Sequence, residues 1–167
     1  ITSLNKEKYE IIPIYISKQG LMYTGEELLD LKEFRDLEKL IKKKKLQRIH
    51  ITGYTNPNNY YQKAKILVLP SFNEGFGMVL LEAMSHGCIP IVFNTSPAFN
   101  DIITDSYNGF IIDNLNKKKF INQCNLLMKE ENLLSQMAKN AIFSIQKFSI
   151  ERIGKQWIDL FNTLLKE

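Results

Sequence analysis

Two carboxylates and two glycines are gathered in one short stretch, Ser71-Phe-Asn-Glu74-Gly75-Phe76-Gly77-Met78-Val79-Leu-Leu-Glu82-Ala-Met-Ser-His-Gly87. A carboxylate accepts paired hydrogen bonds, which suits the vicinal hydroxyls of a sugar or ribose ring. Glycines let a ligand approach the backbone, and N–H groups at a helix start lack partners within the helix, so they favour phosphate. If both glutamates were helical, their separation of eight positions would leave them roughly 80° apart around the axis. The spacing fits better with Glu74 in a loop and Glu82 inside a helix, both facing one crevice from different depths. An anonymous glutamate is usually a solvated surface residue, but Glu82 interrupts an apolar surface made by Leu80, Leu81, Ala83 and Met84. Neither a G-x-G-x-x-G pattern nor a P-loop lysine accompanies the glycines.

The elements that must position these residues follow from the flanking sequence. Ile66-Leu-Val-Leu-Pro70 is a short apolar run rich in branched residues and predicts a buried parallel strand ending at Pro70. Val79, Leu80, Ala83 and Met84 recur at helical spacing up to Gly87, which reads as a C-terminal stop. Strands are also expected at 10–17, 48–52, 89–93 and 109–112, and helices at 26–45, 58–64, 78–85 and 98–103. This alternation predicts an α/β fold, a Rossmann-like parallel sheet with helices on both faces. The tail from Lys117 to Lys166 is expected to be all helical, broken near Glu130-Glu131 and near Phe148-Ser149. Its final helix carries Ile150, Ile153, Trp157, Ile158, Phe161, Leu164 and Leu165 at helical spacing, a packing stripe in which Trp157 reads as core.

The pattern Pro70-Ser71-x-x-Glu74-Gly75-Phe76-Gly77, then Glu82-Ala83-Met84-x-x-Gly87-x-x-Pro90-Ile91-Val92, resembles the donor-site signature of retaining glycosyltransferases of family 4, also called glycosyl transferases group 1. Upstream Gly53-Tyr54 and Tyr60-Tyr61-Gln-Lys-Ala64, and downstream Asn108-Gly109-Phe110-Ile111-Ile112 and Phe148-Ser149-Ile150-Glu151, extend the likeness over nearly the whole chain from about Glu10. The resemblance implies a GT-B enzyme, two Rossmann-like domains facing across a cleft, with residues 1–167 as the C-terminal donor domain and the N-terminal acceptor domain absent from this chain. On that likeness Glu74 would be the catalytic-site carboxylate holding hydroxyls of the donor sugar. Backbone N–H groups from Gly75 through Phe76 and Gly77 to Met78 and Val79 would meet the donor and its pyrophosphate. Glu82 would accept from the ribose, and Gly53 and Tyr54 would lie near the base. The donor would be a nucleotide-diphosphate sugar of UDP or GDP type, and the acceptor a glycan or lipid-linked acceptor in surface polysaccharide synthesis. No metal or other cofactor is expected, and the sequence contains no D-x-D motif.

Two departures from the family pattern stand out. The family places an Arg and a Lys that hold the pyrophosphate in an earlier segment, and Lys6, Lys8 and Lys18 do not match them. Where the family commonly has a Gly-rich turn followed by Glu, this chain has Thr95-Ser96-Pro97 and Asp101. The resemblance also implies that the residues activating the acceptor come from the other domain, so the fragment alone is expected to be inactive. A nucleotide-sugar-binding module without transfer, or another GT-B enzyme such as a nucleotide-sugar epimerase, is the alternative.

Composition narrows the class. The chain has 167 residues, 44% hydrophobic and 24% charged, and lacks an apolar run of bilayer length. Cys88 and Cys124 have no metal-binding spacing, so a reduced, cytoplasmic setting is expected. The net charge of +4 owes much to Lys42–Lys45 and Lys117–Lys119. These runs read as solvated helix ends, or as a peripheral contact with anionic lipid at the inner face of the membrane. No nucleic-acid partner is expected, because no aromatic and basic platform accompanies the lysines. His50 and His86 read as structural.

Overall fold

The computed structural model describes residues 39, 41–45, 56–71 and 74–165. The chain divides into two compact units, Ile1–Tyr60 and Tyr61–Glu167. In the first unit, Lys39 and residues 41–43 are helical, and Lys45 closes the turn with a left-handed φ of 49°. The strands expected at 10–17 and 48–52, most of the 26–45 helix, and His50 lie outside the described residues.

From residue 58 onward the elements run α1 (Asn58–Tyr61), β1 (Ile66–Leu69), α2 (Met78–Ser85), β2 (Ile89–Phe93), α3 (Phe99–Ile102), β3 (Phe110–Ile112), α4 (Lys117–Lys129), α5 (Glu131–Ser144) and α6 (Ile150–Leu164). Short 3-10 turns at Asp113–Leu115 and Ile145–Phe148 precede α4 and α6. Among the described residues the sheet has three strands in the order β1-β2-β3, and both pairings are parallel. Ile66 pairs with Ile89, and Ile91 with Phe110.

β2 is buried along its whole length, as its unbroken apolar run requires of a strand covered on both faces. Its side chains alternate between two cores. Val92, with Ile111 of β3 and Leu69 of β1, packs with Leu80 and Met84 of α2, Phe99 and Ile102 of α3, and Ala141 of α5. Ile89, Ile91 and Phe93, with Phe110 and Ile112 of β3, pack with Phe120 and Leu127 of α4 and Met137 of α5. The period-two alternation thus distributes helices to both faces, and α5 serves both cores through residues one turn apart. Each fully buried Ile or Phe in these clusters is worth roughly 1.5–3 kcal/mol of hydrophobic stabilisation.

β1 is less covered than its sequence suggests. Leu69 is buried, but Val68 is 47% exposed, so the expectation of a wholly buried strand is corrected to one buried at its carboxyl end. The second correction concerns α6, which has no buried residue; Trp157 is 54% exposed and touches Phe161 rather than the core, with ring centroids 5.6 Å apart. Amphipathic spacing reports that a helix has an apolar face, and it does not identify what covers that face.

The turn from α3 into β3 is held by Asn108, which is buried. Its Oδ1 accepts from the Thr104 N–H at 2.7 Å and its Nδ2 donates to the Ile102 carbonyl at 3.2 Å. Asp105 Oδ1 accepts from the Ile111 N–H at 2.9 Å. Gly109 is required for space: a Cβ there would stand 2.7 Å from Pro90 Cγ and 2.8 Å from the Pro90 carbonyl oxygen.

Asn108→Ala removes the buried bond to the Ile102 carbonyl and the part-buried bond from the Thr104 N–H, and leaving the buried carbonyl without its partner costs about 1–3 kcal/mol. The variant is expected to unfold at clearly lower urea concentration with an unchanged slope. An alkaline loss of stability is also expected. Burial pushes the Cys88 and Cys124 thiols from 9.0 to about 11, and burial together with the Glu82 and Cys88 charges pushes the Tyr61 phenol from 10.0 to about 12. These folded-state values are raised, so the stabilisation is complete below about pH 9 and is lost as pH climbs through 11 to 12. The urea midpoint should fall over that interval, and fall less in Cys88→Ala.

Candidate donor-site loop

The site grows out of β1. The chain leaves the sheet at Leu69, passes Pro70 and Ser71, and reaches α2 through Glu74, Gly75, Phe76 and Gly77. In an open parallel sheet this carboxyl edge is where ligands bind. Gly77 occupies the N-cap of α2 in a left-handed conformation, φ 82° and ψ 51°, with no side-chain cap. A Cβ on Gly77 would stand 3.1 Å from Phe99 Cε1 and 3.2 Å from Leu80 Cδ1. The glycine is therefore fixed by conformation and by packing at once. Gly75 differs: a Cβ there would meet nothing within 4 Å, so the fold itself makes no demand for glycine.

Two tethers from the end of β2 hold this loop. Thr95 Oγ1 donates to the Ser71 carbonyl at 3.0 Å, and Ser96 Oγ donates to the Gly75 carbonyl at 2.8 Å. Ser96 is buried, so its hydroxyl needs that acceptor. In the sequence, Thr95-Ser96-Pro97 stands out only as a departure from a Gly-rich turn. The structure gives these two hydroxyls a positioning role, which no local pattern announces because the partners lie 24 and 21 residues away. Nearby, Asn94 Nδ2 donates to Asp113 Oδ1 at 2.7 Å across the ends of β2 and β3.

The predicted residues separate into groups. Gly75, Gly77, Met78 and Val79 form the loop and first helical turn as expected, with Met78 exposed. Glu74 is partly exposed in the loop and Glu82 is exposed in the middle of α2, as the spacing required. Phe76 is 40% exposed, and its ring meets Phe148 edge-on with centroids 5.7 Å apart. The loop thereby touches the 3-10 turn that precedes α6. Gly53 and Tyr54 lie outside the described residues.

The other end of α2 is closed as its sequence predicts. Gly87 is left-handed at φ 80°, Gly87 N–H bonds the Met84 carbonyl at 3.0 Å, and Cys88 N–H reaches back to Ala83 at 3.1 Å. This is a Schellman termination. Leu80, Ala83 and Met84 form the buried stripe, and Glu82, Ser85 and His86 the exposed one. Ser85 Oγ donates to the Glu82 carbonyl at 2.6 Å, and His86 Nδ1 lies 3.0 Å from the same oxygen. Among the described residues no group of three His, Cys, Asp or Glu side chains could hold a metal ion, and no helix is long and apolar enough to cross a membrane.

A parallel sheet with helices on both faces and a glycine-turned helix start after its first strand defines an α/β fold of the Rossmann-like class. The family Glycosyl transferases group 1 matches residues 20–142, and the chain belongs to that family. It is 29% identical over 136 residues to the poly(glycerol-phosphate) alpha-glucosyltransferase of Bacillus subtilis (strain 168), covering 80% of this chain and 20% of that protein. It is 30% identical over 130 residues to the poly(ribitol-phosphate) alpha-N-acetylglucosaminyltransferase of Staphylococcus aureus (strain COL), covering 76% of this chain and 26% of the relative. Among solved structures, a mutant of S. aureus TarM in complex with Fondaparinux, alpha-GlcNAc-glycerol and UDP superposes with a TM-score of 0.68 at 29% identity. That superposition covers 77% of this chain and 27% of TarM. The chain thus spans about a quarter or less of the length of these relatives.

The two glycines are expected to respond oppositely to alanine. Gly77→Ala forces a left-handed alanine against Phe99 and should cost about 1–3 kcal/mol of stability. Gly75→Ala should stay within about 0.5 kcal/mol of the wild type, since its Cβ enters open space. Urea unfolding of the two variants checks this contrast.

Proposed function

We propose that residues 1–167 act as the C-terminal, donor-binding domain of a retaining glycosyltransferase of the GT4 type, with a GT-B architecture completed by an N-terminal acceptor-binding domain. The carrying observation is the junction itself: Glu74 and the left-handed Gly77 where the chain leaves β1 for α2, Glu82 one turn into that helix, and the loop tied down by Thr95 and Ser96. Family membership and the UDP in the TarM complex support a nucleotide-sugar donor, UDP-linked in the first instance. Both curated relatives carry alpha in their names, and an alpha product from an alpha-linked nucleotide sugar is retention. The acceptor on this reading is a glycan or lipid-linked polymer of surface polysaccharide synthesis. The reaction runs in the cytoplasm at the inner face of the membrane without a metal or other cofactor.

Transfer from a nucleotide sugar builds positive charge at the anomeric carbon while negative charge grows on the departing phosphate. Positioning and electrostatics supply most of the rate. Backbone N–H groups at the start of α2, reinforced by the helix dipole, face the phosphate charge. Glu74, in the loop ahead of them, accepts from the sugar hydroxyls and fixes the ring; Glu82, a turn further along α2, accepts from the ribose. Short tethers matter here because a loop displaced by an ångström misplaces the anomeric carbon.

The test is calorimetric titration with UDP, GDP and their sugar conjugates, on this chain and on the full-length protein. Glu82→Ala should weaken UDP binding about tenfold or more, the value of a hydrogen bond to a charged group. Glu74→Ala should leave UDP affinity within about twofold and lower turnover in the full-length protein about 100-fold. Equal losses of UDP affinity would refute this division of roles. A full-length protein that binds no nucleotide would overturn the donor assignment, and one that interconverts its nucleotide sugar without an acceptor would be an epimerase.

A further inference from the structure

The turn that follows β2 grips the loop ahead of α2 at two points, two residues apart. Ser96 is buried, and its Oγ donates to the Gly75 carbonyl at 2.8 Å. Three residues further on, the Phe99 ring lies where a Cβ on Gly77 would stand 3.1 Å from Phe99 Cε1. A tight turn joins these two contacts, with Pro97 and Ala98 at its corner and the Phe99 N–H bonded to the Ser96 carbonyl at 3.2 Å. Pro97 presets its own φ, so the corner is stiff. The peptide between Gly75 and Phe76 is trans, and in a trans peptide the carbonyl and the following N–H point in opposite directions. A carbonyl held from within by a buried hydroxyl therefore turns the Phe76 N–H outward. Gly75 and Phe76 are both exposed, and a Cβ on Gly75 would meet nothing within 4 Å. Among the described residues, the Phe76 N–H has no acceptor.

From this arrangement we infer that Ser96 is a positioning residue, whose hydroxyl fixes the plane of the Gly75–Phe76 peptide so that the Phe76 N–H meets a hydroxyl oxygen of the donor sugar. The inference rests on the donor reading above and gives the held loop a direction. Phe76 follows Glu74 by two residues and precedes the N–H groups at the start of α2, so it falls on the sugar side of the phosphate. A sugar hydroxyl both donates and accepts, so one hydroxyl can give its hydrogen bond to Glu74 and take another from Phe76. Glycine makes the hydroxyl necessary. Gly75 has no side chain to pack and adopts many backbone conformations, so without the Ser96 bond its peptide can rotate and carry the N–H away from the ligand. Gly77 differs, because its packing against Phe99 and Leu80 fixes it directly. The alternative is that the Gly75 carbonyl serves only to satisfy the buried hydroxyl of Ser96.

The experiment titrates the full-length protein with UDP and UDP-glucose, or with GDP and GDP-mannose if the wild type takes that base. Ser96→Ala should weaken the sugar conjugate about three- to tenfold and leave the bare nucleotide within about twofold. A loosened loop would also displace the start of α2, so equal or greater weakening of the bare nucleotide overturns the inference. So does a Ser96→Ala variant with wild-type affinity for both probes while Glu82→Ala still loses the nucleotide; the donor reading then stands without it. A wild type that binds the nucleotide but not its conjugate likewise overturns the inference and leaves the donor reading in place. If the wild type binds neither UDP nor GDP, or if Glu82→Ala leaves nucleotide binding intact, the donor reading falls and takes the inference with it. Replacing Phe76 with phenyllactic acid exchanges its N–H for an ester oxygen while keeping Ser96 and the ring that meets Phe148. This variant should show the same selective loss of the conjugate, and wild-type affinity for it overturns the proposal even if Ser96→Ala does not fold.

Discussion

Everything at the carboxyl edge of the sheet depends on how closely the first turn of α2 approaches Phe99. Gly77 sits where a single added carbon would press on Phe99 and Leu80, and it does so in a left-handed conformation. Phe99 is itself fully buried in the core formed by Leu69, Val92, Ile102 and Ile111. The start of α2 is thereby set against the sheet rather than against solvent, and a close-packed core transmits that placement with little give. The direction of the helix, the height of the loop before it and the location of Glu82 all follow from the contact.

The loop ahead of Gly77 needs more than the glycine, because a segment with exposed Gly75 and half-exposed Glu74 has little packing of its own. Thr95 and Ser96 supply what packing does not, bonding the carbonyls of Ser71 and Gly75. Both donors come from the residues just past β2, a strand that is buried throughout, so the loop inherits rigidity from the centre of the sheet. Carbonyls, not N–H groups, are used in these two bonds. The two hydroxyls past β2 therefore leave the backbone N–H groups of the loop and the helix start unused by these tethers.

Local chemistry made much of this legible in the sequence. The helix at Met78–Ser85 and the strand at Ile89–Phe93 have the expected bounds, because two left-handed glycines and an unbroken apolar run mark them unambiguously. The three tail helices likewise break where Glu130 and Ser149 cap the next helix. What the sequence concealed is non-local. Asn108 and Ser96 are polar residues whose partners are set by the fold, and nothing in their immediate neighbours distinguishes them from turn or surface residues. Trp157 was misread for a related reason, since its spacing fixes the face of α6 on which it lies and leaves open what covers that face.

α6 also shows how the loop and the tail are joined. Phe76 projects from the glycine loop onto Phe148, and Phe148 in turn packs against the core beside Leu80 and Met84. Lys147 Nζ lies 5.1 Å from the Phe148 ring centroid, and Ser149 then caps α6 by accepting from the Arg152 N–H at 3.4 Å. The Phe76–Phe148 contact thus joins the glycine loop to the root of a helix that presents an apolar face to solvent. Edge-to-face aromatic pairs are worth about 0.5–1.5 kcal/mol, enough to bias the loop without fixing it. The main chain of residues 75–77 is held by the Ser96 bond and the Gly77 packing, whereas the Phe76 side chain is the part of the loop whose environment changes if α6 moves.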